Sequence, residues 1–186
     1  MKLLAGVTGE FYSDDNIKVL SPTPELLQEA KNRNDYNKSS YVLLFTAVGD
    51  KKVVFAGGSN EEAWDSIMRC YKAELENIDL LIAPHHGRKT GGCSKYLNLL
   101  NSKLTLFGNA ESENLDYASW SHTGLKYITN NQGANIVVEF SDSSCDVYVC
   151  NCKFALDYVW EYNPNRYFYD LKHKNLYELF WMDKIY

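Results

Sequence analysis

Short apolar runs punctuated by turn residues divide the first 150 positions of the chain into strands and helices. Ile17 to Ser21 predicts a strand that Pro22 stops, and Pro24 opens a helix running from Glu25 towards Lys31. Tyr41 to Phe45 is apolar at every position, which predicts a central strand buried on both faces. Gly49-Asp50 turns the chain, and Lys52 to Ala56 returns antiparallel to it. Beyond Gly57-Gly58, Ser59 and Glu62 have the spacing of a capping box. Ala63, Ile67, Met68 and Tyr71 then give residues 61–72 an apolar helical face. Asp79 to Ala83 is a second strand without polar alternation after its first residue. Arg88 to Gly92 reads as a basic, flexible loop, Ser94 to Leu100 as a helix, and Lys103 to Phe107 as a strand. Asn109 to Thr123 is polar and predicts irregular structure. Leu125 to Thr129, Asn135 to Phe140 and Asp146 to Cys150 predict three closing strands, the first two linked by a turn at Asn130 to Gly133. The pattern is that of an α/β domain with a mixed sheet and flanking helices.

Residues 154–186 change in character. They hold 11 of the 26 aromatic residues, and Asn163-Pro164-Asn165 breaks them into two pieces, of which Leu171 to Trp181 predicts a helix. The organisation expected is therefore a domain over residues 1–153 and an aromatic-rich tail over 154–186 that packs on the sheet or serves interaction.

At 186 residues the chain is long enough for one domain with a sizeable core. A net charge of −5 does not indicate nucleic-acid binding through a strongly basic surface. No apolar run reaches the 18 residues that a membrane helix needs, and the first residues lack the pattern of a signal peptide. The five cysteines are odd in number and do not pair at zinc-finger spacings, so mostly buried, reduced thiols and a cytoplasmic location are expected.

Candidate chemistry concentrates at Pro84-His85-His86-Gly87, which carries two of the four histidines directly after an apolar strand. Imidazoles just past a strand end stand on a rigid mount at a sheet edge, where α/β proteins place their sites. Arg88 and Lys89 follow, and two cations beside a site suit a phosphate-bearing ligand. His122 lies in the polar stretch, whereas His173, between Lys172 and Lys174, reads as solvated.

Four stretches in order carry a resemblance: Val19-Leu20-Ser21-Pro22, Asn37 to Ser40 before Tyr41, Phe55-Ala56-Gly57-Gly58, and Asp79 to Gly87. Together they resemble the second half of metallo-β-lactamase-fold hydrolases, most closely the competence-protein (ComEC-type) hydrolase domain. The resemblance spans roughly residues 17 to 150. It implies the C-terminal half of an αββα sandwich with a metal site, zinc or manganese, at the strand ends. It also implies His85 as a metal ligand, His86 as a substrate contact or less favoured ligand, and His122 as a residue near substrate, whereas Arg88 and Lys89 stand where the family usually has Ser and are substrate-binding candidates by their charge alone. The chain departs from that family in two places. The His-x-His-x-Asp-His cluster of the family's first half is absent, and Gly58 stands where a metal-bridging aspartate is expected. A catalytic zinc needs about three protein ligands, so no catalytic residue is assigned within this chain. The reading is a protein with a degenerate metal site, any zinc or manganese absent or substoichiometric in the isolated chain, acting as a binding or regulatory part of an assembly. The alternatives are a metal-dependent hydrolase of phosphodiester or nucleic-acid type whose remaining ligands come from a partner chain, and a plain interaction module. A protein partner or a second copy is expected to cover the open sheet face.

Overall fold

The computed structural model describes residues 15–162 and 176–181. The protein is mixed α/β, with a six-stranded mixed sheet flanked by helices, as the hydrophobic pattern predicts. It divides into two compact units. The first takes the described residues up to Ala47 together with Lys51–Tyr127, and the second takes Val48–Asp50 and the described residues from Ile128 on.

The first unit begins with β1 (Ile17–Ser21), α1 (Pro24–Arg33), β2 (Val42–Ala47) and β3 (Lys51–Phe55). It continues through α2 (Glu61–Tyr71), β4 (Leu80–Ile82), α3 (Leu97–Leu100), β5 (Leu104–Phe107) and α4 (Tyr117–Thr123) to β6 (Tyr127–Thr129), where the chain passes to the second unit. The strands follow in sequence order across the sheet. β1, β2 and β3 are antiparallel, whereas β3, β4 and β5 are parallel. Parallel neighbours require a crossover. α2 supplies the first crossover, and α3 with the 3₁₀ turns before it supplies the second.

Cross-strand partners share a face, so the register assigns the two surfaces of the sheet. Val42, Leu44, Val54 and Leu81 join one buried cluster with Trp64, Ile67 and Met68 of α2, Leu97 and Leu100 of α3, and Trp120 of α4. The helices α2 and α3 thus cover one face, as expected. The opposite face carries Leu43 beside Phe55, Phe45 beside Val53, and Val53 beside Leu80. Leu80 and Leu81 are both buried, so β4 is covered on both faces. β2 is not. Its Leu43 and Phe45 are half-buried and, with Ile17 and Phe55, line a wholly apolar depression of about 260 Å³.

Several local expectations need correction. Ser59 does not cap α2: its hydroxyl donates to Ala56 O (2.7 Å) inside the Gly-Gly turn. Asn60, with extended backbone, accepts from Ala63 N (3.1 Å) instead, and Glu62 pairs with Lys38 and Arg33. The polar stretch 109–123 is not irregular throughout. Asp116 caps α4 and Trp120 anchors it in the core, where Trp120 Nε1 donates to Thr105 Oγ1 (2.9 Å). Arg88–Gly92 contains an ordered 3₁₀ turn (Lys89–Gly91), and Arg88 makes a β-bridge with Leu115. Cys93 and Cys145 are buried, but Cys70 and Cys152 are exposed.

The second unit holds α5 (Asn130–Gly133), β7 (Ile136–Phe140), β8 (Cys145–Val149), α6 (Cys152–Tyr162) and β9 (Tyr177–Trp181). The expected turn at Asn130 to Gly133 is a helical turn with a complete capping box between Thr129 and Gln132. Residues 177–181 form a strand, not part of a helix as the apolar spacing suggests. They pair antiparallel with β8 in a separate three-stranded sheet. That pairing joins residues 177–181 to β7 and β8, and residue 153 lies within α6. The rest of the expected tail helix, Leu171 to Lys174 and Asn175, lies outside the described residues.

Candidate functional site

Three parallel strands, β3, β4 and β5, end at one edge, and that edge carries the Pro-His-His-Gly turn. Backbone hydrogen bonds continue past the strand ends and clip them together. Ala56 N donates to Ile82 O (3.2 Å), His85 N to Gly57 O (2.7 Å), Ala83 N to Leu106 O (2.9 Å), and Gly108 N to His86 O (3.2 Å). The carboxyl edge of parallel strands is where open α/β sheets bind ligands.

The turn itself is left-handed, with φ of 49° at His85, 62° at His86 and 89° at Gly87. Two consecutive side-chain-bearing residues in this region cost about 1–2 kcal/mol each. Such backbone persists only where its surroundings over-determine it. Here a Cβ on Gly108 would stand 2.4 Å from His86 Nδ1, so the His86 ring lies directly on that glycine. Asp116 N holds Gly87 O at 2.9 Å from the other side.

His85 is half-buried, and its Nδ1 lies 2.8 Å from Thr90 Oγ1. This bond fixes the ring and leaves Nε2 as the nitrogen available to a ligand. Burial, followed by the charges of Arg88 and His86, holds the imidazole below its usual range. The folded protein therefore binds fewer protons than the unfolded chain between that lowered value and the ordinary 6.5. Stability contributed by the neutral ring is present above 6.5 and falls as the pH drops through this window. His85→Gln is expected to flatten the dependence, with urea midpoints at pH 5 and pH 7.5 closer together than in the wild type. An unchanged difference between the two midpoints would count against a depressed His85.

Gly58 lies in the loop after β3. It has no left-handed φ, and a Cβ there would stand 3.0 Å from Ser40 Oγ and 3.5 Å from Asn37 Oδ1. The position is compatible with a side chain in backbone terms but supplies no ligand atom. Neutral oxygens of Asn37 and Ser40 occupy its surroundings. Among the described residues no group of three or more His, Cys, Asp or Glu side chains converges as a metal site. The donors at this edge are the imidazoles of His85 and His86, and Gly58 adds none. Cys93 is no substitute nucleophile, because burial pushes its thiol far up.

The structure brings His85, His86, Arg88 and Lys89 together at one turn. Lys89 is exposed and makes no ion pair among the described residues, and Arg88 Nε is buried without a hydrogen-bond partner there. His122 is not with them. It is exposed in the last turn of α4, whose first residue, Tyr117, stacks on Phe107 at the histidine end. Thr90 and Gly108, which orient the two imidazoles, carry no sequence signal, since each meets its histidine only through the folded turn. Comparison with family models, curated proteins and solved structures found no match. No helix among the described residues is long and apolar enough to cross a membrane.

Proposed function

We propose that this chain is a binding protein built on a metallo-β-lactamase-like half-fold. Its His85–Lys89 turn contacts a phosphate-bearing ligand without hydrolysing it, and the chain works within a protein assembly. The observation that carries the reading is Gly58. It stands beside the clipped strand ends, where a metal-bridging carboxylate is expected, and supplies no ligand atom to accompany His85. The Arg88 Nε, without a hydrogen-bond partner among the described residues, and the exposed Lys89 support an anionic ligand at the same turn. The apolar depression of Ile17, Leu43, Phe45 and Phe55 supports a partner chain, since Phe55 is 43% exposed. Of the two kinds of assembly, a heteromer is favoured over a homodimer, because a different chain could also bring missing ligands.

One second reading has an observation of its own. Thr90 holds His85 with Nε2 available, as a metal-ligating histidine is held, and this favours a hydrolase completed by a partner's ligands. Native mass spectrometry separates the two, because one spectrum reports metal content and association. The wild-type chain is expected to hold less than one zinc or manganese per molecule, and Gly58→Asp to bind zinc at least tenfold more tightly. Full zinc occupancy in the wild type, lost in His85→Ala, would overturn the non-hydrolytic reading. Metal that appears only with a partner chain bound would establish the second reading.

A further inference from the structure

A separate cleft of about 600 Å³ opens between α1 and the segment from Tyr36 to Tyr41. That size lies within the range of small-molecule sites. Two tyrosines stand at its sides, Tyr36 at 79% and Tyr41 at 41% exposure. Leu27 contributes to an apolar lining, and Gln28, Lys31 and Asn34 bring two amides and a cation. Among the described residues no carboxylate lines the cleft, although the chain as a whole is acidic.

The tyrosines are presented on a fixed mount. Residues Tyr36–Ser39 form a 3₁₀ turn in which Asp35 Oδ1 accepts from Asn37 N (3.1 Å) and Ser39 Oγ donates to Tyr36 O (2.9 Å). Between them the Lys38 ammonium is buried and paired with Glu29 of α1 (3.1 Å) and with Glu62 of α2. A buried cation held by two helices immobilises the turn while leaving the Tyr36 ring in solvent. Burying an aromatic ring against another is favourable, so an exposed ring on a rigid mount is prepared for a flat partner.

We propose that this cleft binds a single nucleotide, with the base stacked on Tyr36 or Tyr41, the Gln28 and Asn34 amides on its polar edge, and the phosphate at Lys31. Charge complementarity selects this occupant. Lys31, with no carboxylate among the described lining residues, suits a small anion, whereas tracking a polynucleotide backbone needs a row of cations. A neutral sugar leaves Lys31 unused, and an apolar peptide leaves Lys31, the Asn34 amide and the Gln28 carbonyl unused, the Gln28 Nε2 donating to Asn32 Oδ1 (3.0 Å). Ser40, between the cleft-lining Ser39 and Tyr41, faces Gly58 instead. The cleft and the His85 turn share no lining side chain, so this proposal stands independently of the reading above.

The experiment is a titration of the full chain with AMP and UMP, followed by NMR at the Tyr36 and Tyr41 rings and at the His85 ring. AMP is expected to shift the tyrosine signals saturably, with ribose 5-phosphate at least tenfold weaker. Tyr36→Ala with Tyr41→Ala should weaken AMP tenfold or more, while the pair of phenylalanine variants retains it. Lys31→Glu should weaken AMP but not adenosine. Far-ultraviolet circular dichroism and thermal melts establish that each variant is folded. AMP binding unaffected in the double alanine variant, or shifts confined to His85, would overturn the site. A maltooligosaccharide or a proline-rich peptide that saturates the cleft where AMP does not would overturn the ligand class. A decanucleotide binding tenfold tighter than AMP would overturn the choice of a single nucleotide.

Discussion

Gly87→Ala is expected to destabilise the protein by about 2–5 kcal/mol, combining a left-handed backbone cost with overpacking. Both contributions are visible at this residue. Its φ is +89°, where a side chain is strained whatever the space, and a Cβ would meet the Phe107 ring at 2.6 Å. The ring has little room to give way. Phe107 is fully buried, with Trp120 edge-on at 4.9 Å and Tyr127 stacked at 5.1 Å between centroids. Gly124→Ala provides the internal control. Gly124 also has a positive φ, +71°, as the C-cap of α4, but a Cβ there would meet nothing within 4 Å. Its substitution should cost only the backbone share, about 1–2 kcal/mol. Urea unfolding of the two variants, with unchanged m-values, measures the difference directly. Equal losses at the two positions would mean that the Gly87–Phe107 contact does not constrain the histidine turn. A Gly87 variant that folds should also shift the His85 and His86 ring resonances, since both precede it in the same left-handed turn.

Trp64→Ala should remove about 3–5 kcal/mol, the usual range for deleting a buried aromatic side chain. Trp64 is fully buried in the cluster that α2 forms with Val54 and Leu81. Because α2 leaves the carboxyl end of β3 and packs on Val54 and Leu81, its loss loosens the edge on which Gly57 meets His85. Trp64→Phe should behave differently. The indole Nε1 has no hydrogen-bond partner among the described residues. An unpaired buried donor costs about 1–3 kcal/mol, so removing it offsets much of the lost packing, and a net change within about 1 kcal/mol is expected. Chemical denaturation of both variants tests this. A phenylalanine variant as unstable as the alanine one would show that the indole nitrogen is satisfied in solution.

Elements whose signals are local were legible in the chain of residues. β1 spans Ile17–Ser21 as its apolar run between turn residues indicates, α1 starts at Pro24, and α2 ends within one residue of the span its apolar face marks. The chemistry-bearing turn was also legible. Pro84 ends an apolar strand, and two imidazoles follow it before a glycine. These features depend on neighbours within a few positions, where backbone preference and side-chain periodicity act directly.

The remaining features follow from contacts between segments far apart in the chain. Residues 177–181 have helix-compatible apolar spacing, but β8 offers an open ladder, and strand pairing with it overrides a short segment's weak local preference. Asn60 rather than Ser59 caps α2, because the Gly-Gly turn engages the Ser59 hydroxyl first. The left-handed backbone of His85 and His86 could not be read from residue types that ordinarily avoid it. It is imposed by the backbone clips to Gly57 and Gly108 and by the missing Cβ on Gly108. Thr90 reaches His85, and the Tyr36 turn is pinned through Lys38, only because the fold brings separate segments into contact. Local sequence encodes where strands and turns form, but hydrogen-bond partners and close approaches between distant segments are fixed by packing in three dimensions.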